Sequence, residues 1–83
     1  MKKLKTKPTN PIIALRYKKE GDLWIMKLNQ IQLAFILKTT QSSLSKIESE
    51  KAKPETDLLE QISQVFGKDK TFEVLKYFTN KNL

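Results

Sequence analysis

Gln41, Ser42, Ser45 and Lys46 stand at i, i+1, i+4 and i+5. A helix through them gathers an amide, two hydroxyls and an ammonium on one side and turns Leu44 and Ile47 to the other. Base edges in a duplex major groove require a face of this kind, offering donors and acceptors with no bulky apolar group in the way. The glutamine amide matches adenine N6 and N7, and the ammonium suits a phosphate. These four residue types are also ordinary solvated residues, and on composition alone both readings stand.

Other chemistries have little to work with. Among the 83 residues there is no cysteine and no histidine, which excludes disulfides, thiol nucleophiles, Cys/His zinc sites and histidine bases. With only Gly21 and Gly67 there is no glycine-rich phosphate loop, and the carboxylates fall singly on solvent faces or caps. The sequence therefore predicts no enzyme, no cofactor and no metal. Sixteen Lys and Arg residues against nine Asp and Glu give +7, a charge that points to a polyanionic partner or to a surface kept soluble by lysine. Arg16 is the only arginine, so charge supplies affinity for phosphate more readily than discrimination between bases.

Several helices must position that face. Asn29-x-x-Gln32 reads as a capping box, followed by the apolar face of Leu33, Ala34 and Leu37. Lys38-Thr39 breaks this helix, and Thr40 caps the next, about 41–48, with Leu44 and Ile47 inward. Pro54 closes a polar stretch, and a third cap lies among Glu55, Thr56 and Asp57. Leu58, Leu59, Ile62, Val65 and Phe66 keep helical spacing until Gly67. Asp69 is expected to cap a last helix carrying Phe72, Leu75, Tyr77 and Phe78. Upstream, residues 1–10 read as a basic flexible arm with Lys2, Lys3, Lys5 and Lys7 and no acid. Asn10-Pro11 is a good helix start. Residues 12–28 fit a helix, favoured by Ile12, Leu15, Leu23 and Met26, or a hairpin about Lys18-Lys19-Glu20-Gly21-Asp22. The expectation is an all-α, compact bundle of about five helices, one domain over 11–83. No apolar run suits a leader or a membrane span, and the chain reads as cytoplasmic.

The stretch from Leu28 to Gly67, LNQIQLAFILKTTQSSLSKIESEKAKPETDLLEQISQVFG, resembles the Cro/repressor-type helix-turn-helix family, also called the XRE family. The resemblance lies in Gln30 after the cap, Leu33-Ala34, the Thr40 cap, the run Leu44 to Glu48, and Pro54 to Gly67. Thr39 to Leu44 is similar to the recognition helices of lambdoid phage repressors. The resemblance implies a prokaryotic or phage-encoded, nucleoid-associated regulator of transcription, in all a repressor on a palindromic operator. Gln41, Ser42, Ser45 and Lys46 would contact bases. Gln30, Thr40, Ser43, Lys51 and Lys53 would contact the backbone, joined by Lys2, Lys3, Lys5 and Lys7 of the arm. Glu48 would brace the turn after the recognition helix. Dimers are expected, and the stripe of Phe72, Leu75 and Phe78 either packs against the helix 56–66 or forms the candidate interface.

Some positions depart from the family pattern. Lys38 and Glu50 stand where glycine is usual, Thr39 replaces a common valine, and about seven residues are inserted before Leu28. Ile31 and Phe35, with Ile36 beside them, form a second apolar stripe where the family often has charge. Trp24, Ile25 and Met26 either cover that stripe or join Ile31 and Phe35 as a patch for a partner protein. The second alternative describes an antitoxin-like interaction module.

Overall fold

The computed structural model describes residues 2–81, so the outermost residues of the expected arm and domain lie outside the described span. Along it run β1 (Lys3–Leu4), α1 (Pro11–Ala14), β2 (Tyr17–Glu20), β3 (Leu23–Met26), α2 (Gln30–Ile36), α3 (Gln41–Glu48), α4 (Thr56–Phe66) and α5 (Lys68–Thr79). Five helices stand as expected, but the molecule is not purely all-α. A three-stranded antiparallel sheet of order β1-β3-β2 takes up the segment whose spacing favours a longer first helix.

Local chemistry explains that correction. Helical spacing from Ile12 to Met26 counts through Gly21, and Gly21 is where the chain reverses. Its φ of 61° gives the positive φ that a two-residue hairpin loop needs, with Glu20 paired to Leu23 across it. Leu23-Trp24-Ile25-Met26 then supplies a strand of residues with high β propensity or bulk. Helix α1 is a single turn. The Asn10 side chain accepts the Ile12 amide at 2.9 Å, and Pro11 fills the first helical position.

The basic segment is not a free arm. Lys3 and Leu4 pair with Ile25 and Trp24, and the Met26 amide donates to the Lys2 carbonyl at 2.9 Å. Its other end is fixed by Asn10, buried at 4% exposure, whose side-chain amide donates to the carbonyls of Ile47 and Glu48.

The core is helical. Ile12, Leu33, Leu37, Leu44, Ile62 and Val74 are fully buried, with Leu15, Ala34, Ile47, Leu58 and Phe78 around them. Burial of one such side chain stabilises by about 1.5–3 kcal/mol, the main source of cohesion in a chain this short. Helix α4 packs along α5, α2 against α3, and α1 against α5 and α3. Asp69 does not cap α5 as expected. Gly67, at φ 99°, forms the junction between α4 and α5, and Asp69 lies in the first turn, where its charge suits the helix N-terminus. The third cap position falls on Glu55, whose side chain makes no capping bond. No helix among the described residues is long and apolar enough to cross a membrane.

Candidate nucleic-acid interface

Two helix termini determine how α3 is presented. Leu37 is the C-cap of α2. Beyond it the Thr39 amide donates to the Ala34 carbonyl at 2.9 Å, and the Lys38 amide to that of Phe35 at 3.2 Å. Helix α3 ends the same way: Lys51 to Lys46 at 2.8 Å, Glu50 to Ile47 at 3.1 Å. Both are Schellman motifs, in which the residue after the C-cap is left-handed and usually glycine. Here those residues are Lys38 at φ 56° and Glu50 at φ 63°. The turn thus has the geometry the family resemblance implies, at a strain of ~1–2 kcal/mol per non-glycine residue.

Between these turns, α3 is capped by Thr40, whose hydroxyl oxygen accepts the Ser43 amide at 3.1 Å. The same hydroxyl donates to the Ser43 hydroxyl at 3.0 Å. Leu44 and Ile47 are buried, which fixes the rotation of the helix. Gln41, Ser42, Ser43, Ser45 and Lys46 are left exposed, and Lys51 and Lys53 are exposed just beyond. One continuous polar surface therefore contains the expected base-contacting residues.

A chain of hydrogen bonds runs behind this surface. Arg16 Nη2 donates to Glu48 Oε1 at 2.9 Å, and Gln30 Nε2 donates to the same oxygen at 3.2 Å. Gln41 Nε2 donates to Gln30 Oε1 at 3.3 Å. Three elements are thus tied to one carboxylate: the residue following the α1 turn, the start of α2 and both ends of α3. Glu48 has a structural role, but its carboxylate ties the last turn of α3 to Arg16 and Gln30 rather than to the turn after the helix. Arg16 and Asn10 also brace this region, and neither stands in a motif that marks it as a brace. The signal for Arg16 was its being the only arginine, because a rigid guanidinium suits a buried carboxylate better than lysine does.

The other expected site residues divide. Lys2, Lys3, Lys5 and Lys7 are exposed, but Lys7 Nζ lies 3.5 Å from Glu73 and 5.7 Å from the centre of the Trp24 ring. Phe72 and Leu75 are 70% and 46% exposed, whereas Phe78 is buried against the core and drops out of the candidate interface. The α5 register turns Val74 and Phe78 (i, i+4) inward, so only part of the expected stripe remains outside. Ile25 is likewise buried and Trp24 half-buried, so neither belongs to an open patch. They do not cover α2: Ile31 is 60% and Phe35 85% exposed.

A family model described as helix-turn-helix matches residues 26–72, from the end of β3 into α5. No curated protein and no solved structure matches the chain.

Proposed function

The chain belongs to the helix-turn-helix family of Cro/C1 type, a family of sequence-specific DNA-binding transcription regulators without enzymatic activity, and from that premise we propose that it is a repressor. In this reading it binds a palindromic operator as a homodimer, with α3 in the major groove. The observation that carries it is the division of α3 between buried Leu44 and Ile47 and exposed Gln41, Ser42, Ser45 and Lys46. Gln41 approaches adenine with its amide already oriented: one N–H is held by Gln30, leaving the second N–H for N7 and the carbonyl oxygen to accept from N6. Ser42, Ser45 and Lys46 meet neighbouring bases. Gln30, Thr40, Ser43, Lys51 and Lys53 lie against phosphate and set the register. Selection of bound duplexes from a random pool tests the reading. Enrichment of an inverted repeat with half-sites about one helical turn apart is expected. A pool that stays random overturns it.

A second reading is favoured by Ile31 and Phe35, large apolar side chains exposed four residues apart on α2. Scattered exposed apolar residues are common, but a pair on one face suits a protein partner, as in an antitoxin-like module. Substituting both by serine leaves operator binding unchanged in either reading. Loss of a regulatory output with intact DNA binding singles out the second.

A further inference from the structure

We propose that the three-stranded sheet is a second DNA-contacting element, and that Lys18 and Lys19 on its edge strand neutralise phosphates flanking the stretch read by α3. The proposal rests on the DNA-binding reading above and adds to it a site outside the helix-turn-helix.

Residues 2–7 and 17–27 contain seven of the sixteen basic residues and only two of the nine acidic ones, so the sheet and its connections hold +5 of the chain's +7. Every other residue together contributes +2. Affinity for duplex DNA comes largely from neutralised phosphates, yet α2 to α5 are nearly balanced. The electrostatic excess is on the sheet.

The amides of Lys27 and Leu28 both donate to the Arg16 carbonyl, at 2.7 and 3.1 Å, and close the base of the hairpin. Arg16 is bound to Glu48 at the end of α3, and Gln30 opens α2 two residues after Leu28. The base of the hairpin therefore lies beside Glu48 and Gln30, next to the residues that meet DNA in the proposed complex. Its strands of four residues span about 13 Å at ~3.3 Å per residue, the length of about four base pairs at ~3.4 Å each.

In the pairing register Lys3, Ile25 and Lys18 form one row across the sheet, and Leu4, Trp24 and Lys19 form the next. Neighbouring rows point to opposite faces, so Lys18 and Lys19 reach both sides of the edge strand. Both are exposed, and among the described residues neither has a carboxylate within ion-pair distance, whereas Lys7 and Lys27 are engaged by Glu73 and Glu20. The strand carrying them is an open edge of the sheet, since β1 pairs only the far side of β3, so lysines on both its faces can reach phosphates on either side of that edge.

The test is the salt dependence of duplex binding by the whole chain carrying Lys18→Ala and Lys19→Ala, beside a variant with Lys68→Ala and Lys70→Ala that removes equal charge from the start of α5. Each phosphate contact contributes about 0.9 to the slope of log K against log salt. The sheet variant is expected to lose about 1.8 of slope per protomer, so between 50 and 200 mM salt its binding falls roughly tenfold less than wild type for one bound protomer and ~150-fold less for a bound dimer. Lys18→Arg with Lys19→Arg restores the slope, and the α5 variant keeps it. Equal slopes for the sheet variant and wild type overturn the proposal, as do equal losses in both alanine variants, which would assign the effect to net charge. A wild-type chain with no salt-dependent duplex binding overturns the DNA-binding reading itself.

Discussion

Arg16 donates to Glu48 at 2.9 Å across thirty-two positions of sequence, and both side chains are largely buried, at 16% and 7% exposure. The Arg16 Nε and Glu48 Oε2 atoms are buried without a protein partner, so one hydrogen bond joins the pair. Removing either member leaves a buried charge uncompensated. Arg16→Ala is expected to cost about 3 kcal/mol, and Arg16→Leu with Glu48→Leu less than the sum of the single changes. Urea unfolding measures both. A loss below about 1 kcal/mol for Arg16→Ala would place the pair in the solvated class.

Lys38 and Glu50 share the left-handed conformation but differ in what their side chains do. Lys38 is exposed and without an ion-pair partner among the described residues, so Lys38→Gly removes backbone strain and little else. Relief of ~1–2 kcal/mol, less ~0.4–1 for the freer unfolded chain, leaves a gain of about 0.5–1 kcal/mol. This corresponds to a melting temperature roughly 3–6 °C higher. Glu50→Gly falls short of that gain, because Glu50 also accepts from Tyr77 Oη at 2.7 Å and lies 3.4 Å from Lys81 Nζ. A destabilised Lys38→Gly protein contradicts the strain.

The Glu50 contacts make part of the stability depend on pH. The Tyr77 hydroxyl first, and Lys81 after it, hold the Glu50 carboxyl below its ordinary value of 4.5. A group lowered in the folded state stabilises above its unfolded pKa, and that contribution is lost as pH falls through the folded value. Tyr77→Phe is therefore expected to melt below wild type at neutral pH, with the gap narrowing as the medium is acidified through and below 4.5. A gap that is constant or widens in acid would mean that the Tyr77 hydroxyl acts independently of the charge on Glu50.

The helix-turn-helix was legible because its information is local: caps at Asn29 and Thr40, an inward pair at Leu44 and Ile47, and a stop at Gly67. The hairpin was not. Its strands are short, the Ile12 to Met26 spacing fits a helix as well as a strand, and only Gly21 signals the reversal. Strand β1 was less legible still, since Lys3 and Leu4 have no strand signature and owe their conformation to β3. At the site, the outward face of α3 follows from period alone. The Arg16–Glu48 bond does not, because a contact at such separation depends on the tertiary path. Exposure on α5 was half legible: spacing put Phe72, Leu75 and Phe78 on one broad face, and Val74 then took Phe78 into the core.

Gln41 and Gln30 should act as a unit. If Gln41 reads a base edge, Gln41→Ala loses ~1–3 kcal/mol on the selected site and little on random duplex. Gln30→Ala leaves the Gln41 amide without its support, so its effect on specific binding and that of Gln41→Ala should be non-additive in a double-mutant cycle. Equal losses on specific and random DNA would mean that another surface reads the sequence.

The last expectation concerns assembly. Phe72 and Leu75 lie at i and i+3 on α5, exposed at 70% and 46%, with Val65 on α4 exposed at 48%. A module with one recognition helix reads one half-site, and pairing across a two-fold axis sets two such helices about 34 Å apart in successive major grooves. We predict a homodimer whose interface includes Phe72 and Leu75 and excludes Phe78. Phe72→Glu is the informative substitution. Its ring is mostly exposed, so the monomer loses little packing, whereas a dimer acquires a buried, unpaired carboxylate that costs several kcal/mol. Sedimentation should give a dimer for the native chain and a monomer of unchanged helical content for the variant, with operator binding weakened and random-duplex binding kept. A native chain that sediments as a monomer at high micromolar concentration, without DNA, removes this surface as a dimer interface. So does a Phe72→Glu variant that still dimerises.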